Sequence, residues 1–335
     1  MKKYTPAILF VIVSLMTQGC HLGTSGTWKN DHIQQDIRSE IAVLNKQLFN
    51  DFKNKDVTAV KKLLSPALLT ESGNQMDTII NQVGPALAES DYEIVDEYYT
   101  KNTAANVPNT LISSIGDSSG YIVNYLAMNK EMYVSLLKST KTNNSVLLMA
   151  IYGKYGNDWK INIIQFGEYE IAGKTAPGYY KGALKFYKSG DMIDAADMII
   201  TASQVATPGG KYFKYSSDST MKNFYSKVVK EANAAFKFPI TISQIKTKPV
   251  IFGANPQFTG EKGREGIYPM INYKSEINLA DTAALRAENN ILQKDIGNIF
   301  PGIDKNNSYI FYRAYNQVPD GKTLLHHYGF VQKVR

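Results

Sequence analysis

The apolar spacing of this chain changes character once near Ser90, and that change restricts the folds open to it. From Asp31 onward Ile33, Ile37, Ile41, Leu44 and Leu48 recur three or four residues apart, the stripe of one amphipathic helix. Asp56 is placed to cap a second helix through Val57, Val60 and Leu63-Leu64, which Pro66 would close. Met76 to Leu87 predicts a third. After Ser90 the segments Tyr92–Tyr99, Tyr121–Met128, Glu131–Lys138, Val146–Tyr155 and Trp159–Phe166 are rich in Val, Ile and Tyr, with turn residues between them. Glu131–Lys138 fits either period, and Gly156-Asn157-Asp158 predicts a turn joining the last two strands. Helices first and an antiparallel sheet afterwards describe an α+β domain over residues 31–170.

Helical spacing returns over residues 171–240. Tyr179, Ala183, Phe186, Gly190, Ala195, Ile199 and Ala202 predict two antiparallel helices whose small residues allow close approach, with the turn at Gly190-Asp191. Ser219 to Phe236 predicts a third helix, turning Phe224, Val228 and Ala232 inward and ending before Pro239. Residues 241–335 predict a small α+β unit. Its strands are Val250–Phe252, Tyr268–Ile277, Tyr309–Tyr315 and Leu324–Val331, the last two flanking Pro319-Asp320-Gly321. Its one helix is capped by Asp281 and carries Leu285, Leu292, Ile296 and Ile299 on one stripe.

The first residues set the compartment. Lys2 and Lys3 precede an apolar run from Ala7 to Met16, followed by Gly19-Cys20. Ten residues are too few to span a bilayer, which needs about 20. The segment resembles a bacterial lipoprotein signal peptide, residues 1–19, which implies cleavage before Cys20 and lipidation of that cysteine. Residues 20–30 then form the lipidated cysteine and a flexible tether, small residues running from His21 to Thr27. The retention aspartate known in enteric lipoproteins is absent, since His21 follows Cys20, so the resemblance implies an outer-membrane anchor. The body would then be periplasmic or surface-exposed.

Two further resemblances concern the body. Asn50–Val57 followed by Val60 and Leu63-Leu64, together with Tyr155-Gly-Asn-Asp-Trp-Lys-Ile161, resembles NTF2-like (cystatin-like cone) domains over residues 33–170. This implies helices against a curled antiparallel sheet. Tyr179, Ala183, Phe186, Gly190, Ala195, Ile199, Ala202 and Pro208 resemble a single tetratricopeptide repeat at about 177–208. One such repeat cannot bury its own apolar stripe, so Phe186 and Ile199 must lie against another unit.

Charge and composition narrow the chemistry. The chain carries 37 Lys+Arg and 30 Asp+Glu, yet residues 21–170 are acidic and the excess of base lies beyond them. No basic run with interleaved aromatics appears there, so nucleic acid is not expected as a partner. One cysteine and four histidines leave little for a disulfide or a metal site, and no cofactor is expected. His326 and His327 are adjacent on a predicted strand and would leave opposite faces. Gly116-Asp117-Ser118-Ser119-Gly120 matches a nucleophile-elbow pattern, but a strand follows where the elbow needs a helix, so it is read as a turn. Gly260–Gly266 lacks any phosphate-binding spacing and is read as a mobile connector.

One proton-transfer constellation remains. Strand alternation puts Tyr92, Ile94, Asp96 and Tyr98 on one face and Glu93, Val95, Glu97 and Tyr99 on the other. An inward Asp96 would be a general base with a raised pKa, and Tyr98 or Tyr125 its hydrogen-bonding partner. The alternative is a strand-end carboxylate that is hydrogen-bonded or solvated. The expectation is a membrane-anchored lipoprotein with a non-catalytic binding or scaffold role. It would take a protein partner at the helical pair or a small ligand in the cone. An envelope enzyme built on Asp96 is the other reading.

Overall fold

The computed structural model describes residues 24–334. The signal segment 1–19 and Cys20 lie outside the described residues. Strand β1 (Thr24–Lys29) comes first, then helices α1 (Gln35–Lys53), α2 (Val57–Leu63), α3 (Pro66–Ser72) and α4 (Met76–Leu87). Asp56 caps α2 by accepting from the Ala59 amide at 2.9 Å. Pro66 does not simply close α2: it opens α3, whose N-cap Ser65 accepts from the Leu68 amide. Six strands follow: β2 (Tyr92–Asn102), β3 (Val107–Ile112), β4 (Tyr121–Ala127), β5 (Glu131–Ser139), β6 (Ser145–Tyr155) and β7 (Asp158–Glu170). Neither α3 nor β3 was expected from the sequence. Glu131–Lys138, ambiguous by period, is strand.

Strands β1-β2-β5-β6-β7 form one antiparallel sheet in that order. Thr24–Thr27, read as tether, therefore pair with β2, Thr27 opposite Thr100. A strand there satisfies backbone groups along the β2 edge that a free tether would leave open.

Both faces of the sheet are covered. On one, Ile41, Leu48, Phe52 and Ile80 of α1 and α4 bury against Tyr99, Tyr133, Tyr152 and Trp159. On the other, Tyr98, Val134, Leu136, Met149 and Ile151 meet a second sheet and a helical layer. That layer holds α5 (Ala176–Ser189), α6 (Met192–Gln204) and, after the short strand β8 (Phe213–Tyr215), α7 (Asp218–Phe236). The second sheet has the order β3-β4-β8. Gly190 ends α5 in the left-handed conformation, φ 81°, where a side chain would be strained. Tyr179, Ala183 and Ile199 lie in the shared core, so the apolar stripe of the helical pair is buried on the neighbouring sheets.

Two bulges decide which side chain faces which layer. In β2 the register shifts between Ile94 and Asp96, leaving Val95 unopposed. In β7, Ile161 lies opposite Tyr152 and Ile163 opposite Ile151, leaving Asn162 unopposed. A bulge reverses the alternation beyond it. Trp159 and Ile161 thus face the helices, Ile163 faces away, and Ile164 faces the helices again.

The C-terminal unit begins with β9 (Ile240–Thr241), β10 (Val250–Thr259) and β11 (Gly266–Lys274). Then come α8 (Thr282–Ile299), α9 (Ile303–Asn306), β12 (Tyr309–Tyr315) and β13 (Tyr328–Lys333). Its sheet order is β13-β12-β11-β10-β9, with β11 and β12 parallel because α8 crosses between them. Leu285, Leu292 and Ile296 fill its core, and Asp281 caps α8 by accepting from Ala284 at 3.0 Å. One expectation needs correcting here. His326 and His327 precede β13 and are not on a strand. Gly260–Gly266 connects β10 to β11, with Arg264 and Glu261 paired across it at 2.8 Å. Ile193 of α6 belongs to this third core, so α6 touches both halves of the molecule. The whole is an α+β chain.

Candidate functional site

The bulge at Val95 turns Asp96 away from the α1–α4 helices and toward the second sheet. Tyr92 packs against the helix-side core while Tyr98 lies in the opposite one, so these two do not share a face as simple alternation required. Asp96 is 8% exposed, and four donors converge on its carboxylate. Oδ1 accepts from Asn30 Nδ2 at 2.9 Å and lies 3.0 Å from the Lys29 ammonium. Oδ2 accepts from the Tyr98 hydroxyl at 3.3 Å and from Tyr121 by a short bond. The two phenol oxygens are 3.2 Å apart.

Local structure explains the convergence. Lys29 ends β1, and its ammonium also donates to the Ser113 carbonyl at 3.1 Å and sits 5.5 Å from the centre of the Tyr98 ring. Asn30 takes a left-handed conformation, φ 50°, which asparagine tolerates better than most residues. Its side chain grips the strand just past the bulge, donating to Asp96 and accepting from the Glu97 amide at 2.8 Å. Tyr121 is held flat against Phe213 of β8, ring centres 4.7 Å apart. Burial pushes both the Tyr98 and Tyr121 phenols well up, so they remain protonated donors. A carboxylate offers about four acceptor positions. Here three hydrogen-bond donors and an ammonium surround the two oxygens, and the arrangement joins β1, β2 and β4.

Tyr125 does not belong to this constellation. Its hydroxyl meets Thr100 Oγ1 and Asn109 Nδ2, each at 3.1 Å, in a separate polar cluster further along β2. Burial raises this phenol too. The structure thus joins Asp96 with Tyr98, separates Tyr125, and adds Tyr121, Lys29 and Asn30. Tyr121 had only its inward position on β4 to distinguish it.

Two other carboxylate sites escaped sequence reasoning. Glu97, next along β2, faces the helices. It is 1% exposed, accepts from the Tyr133 hydroxyl at 2.7 Å, and forms a short bond with Arg38 Nε on α1. On α6, Asp194 and Asp197 are both buried. Asp194 accepts from Asn307 Nδ2 at 2.6 Å and Asn306 Nδ2 at 2.9 Å. Asp197 has an oxygen with no partner, and burial together with the nearby Asp194 pushes its carboxyl well above the usual range.

Space for a ligand lies elsewhere. Tyr99, Tyr133, Tyr152 and Trp159 occupy the interval between α1–α4 and the sheet, none more than 5% exposed. A cavity of about 270 Å³ opens between α6 and α7, lined by Ile199, Ala202, Ala206, Met221 and Tyr225 with Ser203 at its rim. A wider cleft of about 600 Å³ separates the β5–β6 turn from the β10–β11 turn. Gly116–Gly120 is a turn in which Asp117 Oδ1 accepts from the Ser119 amide at 2.8 Å, with β4 following. Among the described residues no group of three or more His, Cys, Asp or Glu is placed to hold a metal ion. Comparison with known proteins finds neither a matching family model nor a matching curated protein.

Proposed function

We propose that this protein is a lipid-anchored component of a bacterial envelope with a non-catalytic binding or scaffold role. Cys20, the only cysteine, follows the short apolar run where lipidation requires it. No described helix is long and apolar enough to cross a membrane. Acyl chains on Cys20 are the attachment proposed, in the outer membrane. The observation that carries the non-catalytic reading is the enclosure of Asp96: Lys29, Asn30, Tyr98 and Tyr121 surround its two oxygens and leave the residue 8% exposed, with neither the α6–α7 cavity nor the wider cleft opening onto it.

The α1–α4 layer over an antiparallel sheet supports an NTF2-like reading of residues 31–170, elaborated by β1 and by a second cover on the opposite face. The α5–α6 pair, turned at Gly190, supports a single tetratricopeptide-like unit. Its protein partner would insert an apolar side chain between α6 and α7, where the cavity is already open. Filling that cavity by Ser203→Trp is expected to abolish partner binding while leaving thermal unfolding unchanged. Cys20→Ser is expected to release the exported protein from membranes into the soluble envelope fraction. A Cys20→Ser protein that still sediments with membranes as the wild type does would refute the anchor.

A further inference from the structure

The register of β1 limits how far the folded body can stand from its anchor. Thr24 is already in the sheet, opposite Asn102. Only His21, Leu22 and Gly23 separate it from Cys20. Four residue steps span about 14 Å at full extension, at roughly 3.3–3.6 Å each. The polar zone of a bilayer leaflet is about 5–8 Å thick, from the difference between hydrocarbon and total thickness. A chain lipidated at Cys20 therefore cannot swing its body freely above the membrane. The end of the sheet that carries Thr24 is held close to the headgroups, near enough for its exposed side chains to reach them.

That end is well defined. The Asn102 amide donates to the Lys130 carbonyl at 2.7 Å, so the β2–β3 and β4–β5 turns lie at the same end of the sheet as Thr24. The β6–β7 turn at Gly156-Asn157 closes the same end of the sheet. Its exposed groups include two cations, Lys101 and Lys130, one anion, Asp158, the Thr103–Asn106 turn and Asn157. Lys101 on β2 and Lys130 at the start of β5, the two strands next in order from β1, are exposed cations suited to lipid phosphates, the Lys101 ammonium lying 5.9 Å from the Tyr99 ring centre. The opposite end, with the β5–β6 turn at Thr142, borders the cleft shared with the C-terminal unit.

We infer that the Thr24 end of the sheet, with Lys101, Lys130 and the Thr103–Asn106 turn, is a membrane-contact surface for phospholipid headgroups, and that the C-terminal unit points away from the bilayer. This rests on the lipoprotein reading. The test uses the full lipidated protein on vesicles of phosphatidylethanolamine and phosphatidylglycerol containing a headgroup spin label. A fluorophore is attached to a single thiol at Ala105→Cys or at Thr142→Cys, and flotation is measured on the same samples. The expected result is flotation of both, with the Ala105 probe quenched several-fold more than the Thr142 probe. Adding Lys101→Glu and Lys130→Glu should at least halve the Ala105 quenching without preventing flotation. Flotation with equal or reversed quenching overturns the contact surface while sparing the anchor. Quenching that survives the double charge reversal overturns the role of the lysines. Failure to float overturns the anchor, and the contact surface with it.

Discussion

Two pairs of buried carboxylates, one on β2 and one on α6, show that burial alone says little about what an acid does. Asp96 and Glu97 are neighbours in sequence, point to opposite faces of the sheet, and each meets a cation and at least one tyrosine: Lys29 with Tyr98 and Tyr121, and Arg38 with Tyr133. Asp194 and Asp197 sit one turn apart on the same side of α6. Their partners are two asparagine amides for the first, while one oxygen of the second has none. The β2 pair holds its strands as charge-assisted hydrogen-bond centres. The α6 pair is a desolvated cluster in which burial pushes both carboxyls upward, Asp197 well above the usual range and Asp194 against the pull of its two amide donors.

The difference has ordered consequences. Asp96→Ala strips the lock of its acceptor and leaves two buried phenols and an asparagine amide without it. Urea unfolding should show a loss of about 3 kcal/mol. Glu97→Ala should cost less, about 2 kcal/mol, because Arg38, with 36% of its side chain exposed, can turn to water while only Tyr133 is stranded. If Glu97→Ala proves the costlier, the ranking by stranded buried donors is wrong.

Asp197→Asn should have the smallest effect, within about 1 kcal/mol at pH 4–5, and its signature is the pH dependence. The folded carboxyl titrates above its ordinary 3.8, so the folded chain retains a proton that the unfolded chain releases. That contribution is complete below about 3.8 and is lost as pH rises toward the folded value. Wild type should therefore fall relative to Asp197→Asn as pH increases, by at most about 1.4 kcal/mol per pH unit. Parallel stability curves for the two proteins would mean that Asp197 has a partner and that the two carboxylate pairs are alike.

Much of the architecture was legible because periodicity reports long amphipathic elements directly. Met76–Leu87 and the capping role of Asp56 appear as read, and α5, α6 and α8 follow their stripes closely. What escaped were elements too short to establish a period, α3 and β3, and the strand at Thr24–Lys29, whose small residues read as tether but whose backbone completes a sheet edge. The bulges are the deeper reason. Strand alternation assigns faces only while the register is unbroken, and the unopposed Val95 and Asn162 each invert it. Asp96 and Tyr98 were brought together correctly, but Tyr92 was put on the wrong side. Tyr121 comes from a strand whose place in space no local pattern reveals. The α6 aspartates were unreadable for a related reason. Their burial depends on the C-terminal unit docking against a helix face that, in isolation, looks polar enough for water.

The sharpest test of the lipid-anchored reading is the intact mass of the protein extracted from the membranes of an expressing bacterium. The expected species begins at Cys20 and is heavier than the bare chain 20–335 by a diacylglyceryl group, with or without a further acyl chain. A mass matching an unmodified chain, or one beginning at another residue, would contradict it.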